Sequence, residues 1–338
     1  FDDLNTLMNI IIAFAVSGIF VLFFVITYIS NKVTRPLNEL ANITKIVGAG
    51  NFDVTLPPTT SKDEVGILND SFIQMQNALK EYIKNFESTT KAKEKIQSEL
   101  KIARDIQMGI IPKIFPPFPE RPDIDIYAIL QPAKEVGGDL YDFFFIDDDV
   151  ICFAVGDVSD KGVPASLFMA ITRTLLRAKT VKNMKPGTVL QSMNQALCQD
   201  NESAMFVTFF LGILNLKTGE LHYANAGHNS PFFMRRDFKI EEFPKPQDMP
   251  LGIIEREYHN YETKLEKGDS IFLFTDGVNE AVAQDGAFYG DARMIDSISR
   301  VAGRKPREVT EHVLNELKEF TRGADQSDDI TITVVRYY

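Results

Sequence analysis

The residues best suited to chemistry are aspartates placed where apolar segments end. Asp157 follows the apolar run 150–155, with a glycine on each side of its motif, and Asp276 follows the run 272–274. Short runs rich in β-branched and aromatic residues predict buried strands. A carboxylate fixed at a strand end can hold a hard cation. In isolation, the pattern around Asp157 equally fits a plain turn in which the aspartate is a cap.

Further aspartates have the same placement. Asp139 lies in the segment 137–142 (GGDLYD), and Asp328 and Asp329 precede the apolar run 330–335. Two bare carboxylates about 4 Å apart repel each other by roughly 4 kcal/mol at an effective dielectric constant of 20. If these side chains converge, the site therefore requires cations. Oxygen ligands without His or Cys indicate Mg²⁺ or Mn²⁺ rather than zinc.

Five motifs follow one another along residues 112–338: GGDLYDF, GDVSDKGVPASLFMA, NAGHN, TDGVNEA and DDITI. In this order they resemble the metal-dependent (PPM, type 2C) serine/threonine phosphatases, specifically the bacterial SpoIIE/RsbU branch. The resemblance implies an α+β fold, a β-sandwich flanked by helices with the metals at one edge between the sheets. It also implies hydrolysis of phosphoserine or phosphothreonine on a protein.

The resemblance further implies a site that holds two divalent metals, Mn²⁺ or Mg²⁺. Its candidate catalytic and metal-binding residues are Asp139, Asp157, Val158, Asp276, Asp328 and Asp329. Asp157 bridges the two metals, and the backbone carbonyl of Val158 helps to hold one of them. Asp276 and Asp328 complete the other, while Asp139 lies on the opposite side as a direct or water-mediated ligand. Either carboxylate of the pair 328–329 can face the metal.

Three neighbouring polar residues have open roles. His228, in the segment 226–229 (AGHN), is either a catalytic acid or a structural loop residue, and a catalytic acid must reach the leaving oxygen. Lys161 either contacts phosphate as a point charge or is solvated. Asp160 stands where the family often has glycine, so we expect neither Asp160 nor His228 to be essential.

Composition limits the possible partners. The chain has 338 residues, 44% of them hydrophobic and 25% charged, which suits a globular protein of more than one domain. Its formal charge of −11 lacks the basic footprint of a nucleic-acid-binding protein, so we expect no nucleic-acid partner. The two cysteines, Cys152 and Cys198, provide no disulfide framework.

Residues 1–30 are predicted to be a transmembrane segment. The stretch 10–29 has twenty residues without a charge, which at about 1.5 Å per residue covers a hydrocarbon layer of roughly 30 Å. Lys32 and Arg35 follow, so the positive-inside rule places the rest in the cytoplasm of an inner-membrane protein. A buried helix or a signal peptide fits this stretch less well. Because the sequence begins with Phe1, we expect a fragment whose sensor, if any, lies upstream.

Residues 31–86 resemble a HAMP domain, the signalling module that follows such spans. The matching features are 35–37 (RPL), the connector 48–50 (GAG) and 62–66 (KDEVG), which opens the second helix. In the first helix, apolar residues at 37, 40, 43 and 47 form a narrow stripe that requires partner helices. HAMP domains form parallel four-helix bundles from two chains, which implies a homodimer. A membrane-surface linker helix is the alternative.

Residues 87–111 are predicted to be a helical coiled-coil linker. Alternating steps of three and four from Phe72 to Ile110 give twelve positions, nine of them apolar. The polar stretch 87–95 weakens this seam, either as a soft joint or as a solvated face. Pro112 ends the helix, because proline disfavours helix in the preceding residue. The catalytic domain, 112–338, begins there.

Within residues 112–338, alternating periodicities predict strands and helices in mixed order. The predicted strands are 124–130, 141–146, 150–155, 205–214, 219–225, 258–265, 269–275 and 330–336. The predicted helices are 163–178, 187–199, 291–302 and 306–320. Such an order favours a layered α+β domain, with the phenylalanine-rich strands in its core.

The most economical function is a membrane-tethered signalling phosphatase controlled through the HAMP domain and the linker. By family analogy its substrate is a phosphorylated STAS-type anti-sigma-factor antagonist. A HAMP-linked nucleotide cyclase is an alternative, because such enzymes carry GGD, but they need Glu-Phe where this chain has Leu140 and Tyr141. A non-catalytic phosphoprotein-binding module is a third possibility.

Overall fold

The computed structural model of the chain describes residues 2–56 and 63–338. Two residues named above, Phe1 and Lys62 of the KDEVG motif, lie outside the described residues. The chain forms two compact units, Phe1–Ile96 and Gln97–Tyr338.

The first unit begins with a long apolar helix. Helix α1 (Asp2–Ile29) leads into a π-helical segment (Ser30–Thr34) and then helix α2 (Arg35–Gly48). Within Asp3–Gly48 the mean hydropathy of an 18-residue window reaches 2.9, and none of that window is buried. By length and composition this helix can cross a membrane.

The π-helical segment has a local cause in Pro36. Proline has no N–H to donate, and its ring clashes with the carbonyl four residues earlier, here that of Lys32. A wider π-turn at Ser30–Thr34 accommodates both effects without ending the helix. Helix α2 therefore continues directly from α1 through this widened turn.

Helix α3 (Glu64–Ile110) is the second long helix and starts in the first unit. It buries Phe72 and Gln76 there. The Gln76 Nε2 donates to the carbonyl oxygens of Phe52 at 2.9 Å and Val54 at 2.6 Å. The described part of the connector is thus held along α3, in the helix–connector–helix order of a HAMP domain. The helix ends before Pro112, as the sequence predicts.

The second unit contains two five-stranded antiparallel sheets. Sheet A has the order β1 (Ile124–Gln131), β10 (Ile330–Tyr337), β9 (Ser270–Phe274), β6 (Phe232–Met234) and β7 (Ile240–Glu242). Sheet B has the order β2 (Leu140–Asp147), β3 (Val150–Val158), β4 (Val207–Asn215), β5 (Glu220–Ala226) and β8 (Tyr261–Lys264). Residues of both sheets contribute to one buried core.

Helices cover the outer faces of this sandwich. Helices α4 (Val163–Lys179) and α5 (Pro186–Cys198) pack on sheet B, and α7 (Gly290–Arg300) and α8 (Pro306–Phe320) pack on sheet A. A single turn, α6 (Asp276–Asn279), follows β9. The predicted β-sandwich flanked by helices is confirmed.

Within residues 112–338 the predicted strands and helices are all present, together with three short elements that have no counterpart in the prediction. These are β6, β7 and α6, of three, three and four residues, which are too short to show a hydrophobic period. The strand predicted at 258–265 is shorter, Tyr261–Lys264. The aromatic strands are core only in part: Phe143, Phe209 and Phe210 are buried as predicted, whereas Phe144 and Phe145 are half-buried and Phe206 is exposed.

Close packing around Phe153 requires a glycine on the neighbouring strand. Gly212 pairs with Phe153 in the β3–β4 ladder, and a Cβ at Gly212 would overlap the Phe153 ring. Core sites of this kind tolerate no added volume without displacement of their neighbours.

We expect Gly212→Ala to lower the free energy of unfolding by about 1–3 kcal/mol, because the added methyl overpacks the core. The matched control is Gly109→Ala, where a Cβ meets nothing within 4 Å. In a helix this control should be neutral or stabilising by up to about 1 kcal/mol. Denaturant unfolding followed by circular dichroism measures both, and equal stability of the two variants would contradict this packing argument.

Candidate active site

Asp157 lies near the end of β3, a central strand of sheet B, opposite Thr208 of β4. The preceding Gly156 faces the ring of Phe209, and a Cβ there would come within 2.5 Å of it. After the strand, Asp160 and Gly162 have φ of 66° and 89°, a region that favours glycine. Asp157 is therefore followed by a tight turn that leads into α4.

Sheet A brings the distal aspartates to the same edge. Asp276 begins α6 directly after β9, and Asp328 and Asp329 directly precede β10, the strand beside β9. A Cβ on Gly277 would overlap the backbone of Asp329, so the glycine of the TDG motif allows these two segments to touch. The aspartates predicted at 276 and 328–329 are thus neighbours in space.

Asp139 joins the two sheets. It directly precedes β2 of sheet B, and its Oδ2 accepts hydrogen bonds from Thr275 Oγ1 at 2.8 Å and Thr331 Oγ1 at 2.6 Å. Both threonines belong to the sheet A side, next to Asp276 and within β10. Asp139 also lies near Asp157, whose charge raises the pKa of Asp139. Its carboxyl is buried at the centre of this contact.

The Asp329 side chain contacts backbone amides and does not face solvent. Its carboxylate accepts hydrogen bonds from the amides of Ala133 at 2.8 Å and Gly138 at 2.7 Å. A Cβ on Gly137 would overlap this carboxylate, and one on Gly138 would lie 2.8 Å from the Val158 carbonyl oxygen. The glycine pair before Asp139 is therefore required by packing.

The sequence did not reveal a contact made by Gln107 in the last turns of α3. Gln107 Nε2 donates to the Gly137 carbonyl at 2.6 Å, and the Gly137 N–H donates to Gln107 Oε1 at 3.2 Å. In the heptad pattern Gln107 is only a polar interruption. The structure shows that Gln107 is buried, and a buried amide needs hydrogen-bond partners.

Burial and mutual repulsion dominate the electrostatics of the site. Burial raises the pKa of Asp139 well above its ordinary value, and the charges of Asp157 and Asp329 raise it further. Burial and the charge of Asp276 raise the pKa of Asp157 to about 7. Burial and the charge of Asp328 raise the pKa of Asp276 to about 6, although Lys161 opposes this shift. The cluster is short of positive charge.

The donor set fits hard divalent cations. Carboxylate and carbonyl oxygens are the ligands that Mg²⁺ and Mn²⁺ prefer, and divalent cations would supply the missing charge. Among residues 2–56 and 63–338, no three His, Cys, Asp or Glu side chains already form a group that could hold a metal ion. The assignment of individual ligands, including Val158, therefore stays a prediction.

Comparisons with known proteins decide the family. The SpoIIE family (Stage II sporulation protein E) matches residues 147–338, more than half of the chain. The chain belongs to the SpoIIE family. The HAMP domain family matches residues 28–81.

Relatives of this SpoIIE-family chain include two curated proteins. Protein IcfG of Synechocystis sp. is 29% identical over an alignment of 334 positions that covers 89% of this chain and 51% of IcfG. Phosphoserine phosphatase RsbU of Bacillus subtilis is 29% identical over 245 residues, 72% of this chain and 71% of RsbU. The chain thus spans about half the length of IcfG.

Solved structures support the same SpoIIE-family fold. The SiaA-PP2C domain of Pseudomonas aeruginosa has a TM-score of 0.65 and 25% identity, covering 73% of this chain and 99% of that one. The RsbU and RsbW domains of Rv1364c from Mycobacterium tuberculosis have a TM-score of 0.55 and 25% identity, covering 63% and 60%.

His228 lies beside the site of this SpoIIE-family domain but is buried in its own loop. Its Nδ1 is 2.9 Å from Thr208 Oγ1, its N–H donates to Asn225 Oδ1 at 2.7 Å, and its carbonyl accepts from Asn225 Nδ2 at 3.0 Å. Burial lowers the pKa of His228 to about 4. These contacts favour the structural role, with a neutral ring.

We expect His228 to make stability depend on pH. The unfolded chain binds the imidazole proton near pH 6.5, but the folded domain does so only near pH 4. Stability is therefore lost as the pH falls between these values, by up to about 3 kcal/mol. Denaturant unfolding at pH 7 and pH 5 should show about 2 kcal/mol of this loss, because pH 5 is still above the pKa of the folded state.

The control is His228→Asn, whose amide can bond Thr208 but does not titrate. Asp157 and Asp276 act in the opposite direction, because their raised pKa lets the folded domain bind protons first. Both proteins share that effect, so the wild type should lose more stability than the variant. Equal losses would show that His228 does not titrate as its burial demands.

Proposed function

We propose that this chain hydrolyses phosphoserine or phosphothreonine on a protein, with two divalent cations held at the edge between its sheets. The observation that carries the proposal is the convergence of Asp139, Asp157, Asp276 and Asp328 at one edge of a SpoIIE-family domain. Carboxylates with raised pKa values in one place are typical of functional sites.

Each aspartate has a part in this proposal. Asp157 would bridge the two cations, with the Val158 carbonyl beside it, because it stands on the rigid end of β3. Asp276 and Asp328 would complete one cation site, and Asp139 would lie on the other side. Mn²⁺ and Mg²⁺ both suit these oxygen ligands.

The contacts of the last aspartate pair favour Asp328 as the ligand. Asp329 is buried and accepts amide hydrogen bonds with both carboxylate oxygens, whereas Asp328 is partly exposed and accepts only one amide hydrogen bond, with Lys161 at its other oxygen. We therefore assign Asp329 to holding the backbone around Asp139 in place. The metals, when bound, supply the activation of water and the screening of phosphate oxygens that hydrolysis requires.

The packing of Gly137 and Gly138 also bears on the alternatives. The GGD motif is also typical of nucleotide cyclases, yet here both glycines are accounted for by their contacts with Asp329 and Val158. A non-catalytic binding module would not need so many carboxylates in one place. RsbU and RsbP of Bacillus subtilis are both named phosphoserine phosphatases, which supports the catalytic alternative.

The relatives and the N-terminal unit support a proposal for the substrate and the cellular setting. We infer a phosphorylated STAS-type anti-sigma-factor antagonist as substrate. The helix within Asp3–Gly48 would anchor the protein in the inner membrane through residues 10–29, with the HAMP and phosphatase domains in the cytoplasm. The HAMP domain would pair two copies of the chain into a homodimer.

The central prediction concerns Asp157. Asp157→Asn should lower phosphatase turnover by orders of magnitude with the fold intact, because a neutral amide cannot balance two dications. Chelation by EDTA should abolish wild-type activity, and Mn²⁺ should restore it. Release of phosphate from a phosphoserine protein measures turnover, and near-ultraviolet circular dichroism checks the fold.

The matched control is Asp160→Asn, which makes the same chemical change three residues away. Asp160 is exposed and has a φ of 66°, which asparagine tolerates. Its activity should stay near that of the wild type. The metal assignment would be wrong if the wild type kept full activity in excess EDTA, or if Asp157→Asn and Asp160→Asn lost equal activity.

A further prediction concerns the helical linker. We propose that signals reach the phosphatase by rotation or splay of paired α3 helices. One residue inserted after Thr90 turns the downstream helix by about 100°, whereas seven residues restore nearly the same face. The single insertion should lock or scramble activity, and the heptad insertion should largely preserve regulation.

The measurement is phosphatase activity in the reconstituted, stimulus-responsive protein. The heptad insertion serves as the control for added length. If both insertions behave alike, the linker acts only as a spacer.

A further inference from the structure

Lys161 forms an ion pair with a carboxylate of the proposed cation site. Its Nζ lies 2.8 Å from Asp328 Oδ2, with the two side chains 32% and 35% exposed. The same ammonium donates to the carbonyl oxygen of Ser327 at 2.5 Å. Lys161 therefore joins the turn after β3 to the segment before β10, across the edge between the two sheets.

The turn that carries Lys161 is held firmly. Asp160 and Gly162, on either side of it, both have positive φ, which fixes the direction of the chain. Ser159 N–H donates to the Phe206 carbonyl at 2.8 Å, and the Phe206 N–H donates to Ser159 Oγ at 3.0 Å. This restrained backbone fixes the position of Lys161 beside Asp328.

A divalent cation and this ammonium need the same carboxylate. Asp328 has one oxygen engaged by Lys161, and its Oδ1 accepts the Asp329 N–H at 2.9 Å. A cation that binds Asp328 must therefore displace Lys161 Nζ or lie close to a like charge. Either event lowers the affinity for the cation, because like charges repel.

We propose that Lys161 sets the metal affinity of the site, acting as an internal counterion of Asp328 that weakens cation binding. This inference rests on the proposed function, because it concerns the cation bound by Asp276 and Asp328. It predicts that removal of the lysine charge tightens metal binding, whereas a residue that merely supports the site would weaken it on removal.

The test is direct Mn²⁺ binding to the full chain, measured by the electron paramagnetic resonance signal of free Mn²⁺. Lys161→Gln should lower the Mn²⁺ dissociation constant about tenfold, which corresponds to about 1.4 kcal/mol. Lys161→Met should behave in the same way, and Lys161→Arg should stay near the wild type because it keeps the charge.

The matched control is Lys182→Gln. Lys182 pairs with Asp147 at 2.6 Å near the opposite end of β3, roughly 20–25 Å from Asp157 by strand length. Lys182→Gln removes the same charge as Lys161→Gln, so any effect of net charge alone appears in both variants. The dissociation constant should not change in Lys182→Gln.

The outcomes separate this inference from the proposed function. Equal or weaker Mn²⁺ binding by both Lys161→Gln and Lys161→Met, beside a wild type that binds, overturns the inference alone. The same holds if Lys182→Gln tightens binding as much. A wild type that binds no Mn²⁺ overturns the two-metal function as well.

Discussion

The repulsion among buried carboxylates is the constraint on which the phosphatase domain depends. Asp139, Asp157 and Asp276 all have raised pKa values because burial removes water and each lies near another carboxylate. Such a cluster persists only if the surrounding structure holds it together. The two sheets, their connecting turns and the neighbouring glycines do so by fixing the backbone of each aspartate.

Two of the aspartates also stabilise the arrangement through hydrogen bonds, besides contributing to the repulsion. Asp139 accepts hydrogen bonds from threonine hydroxyls of the opposite sheet, and Asp329 accepts them from backbone amides. These bonds give buried carboxyl groups the polar partners that water would otherwise supply. Asp139 and Asp329 are buried and connect the segments of the two sheets. Asp157, Asp276 and Asp328 are only partly buried.

Much of this could be predicted from the sequence, because strand ends and turn glycines are local signals. Asp157 and Asp276 stand after apolar strands, as expected, and the sandwich with its four long helices was predicted. The partners of Asp329 could not be predicted, because Gly138 lies 191 residues away and amides leave no mark in a sequence. The bonds of Gln107 to Gly137 were missed for the same reason, since a glutamine in a heptad pattern looks like an exposed residue.

The long separation in sequence between Asp139 and Asp329 has a consequence for folding during synthesis. Strand β10 lies between β1 and β9, so the middle of sheet A is missing until this late strand has been synthesised. Pairing between such distant segments is slow to form, and chains grow from the N-terminus. A nascent chain therefore lacks both the middle strand of sheet A and the contact between Asp329 and Gly138 until almost the whole of this sequence has been synthesised.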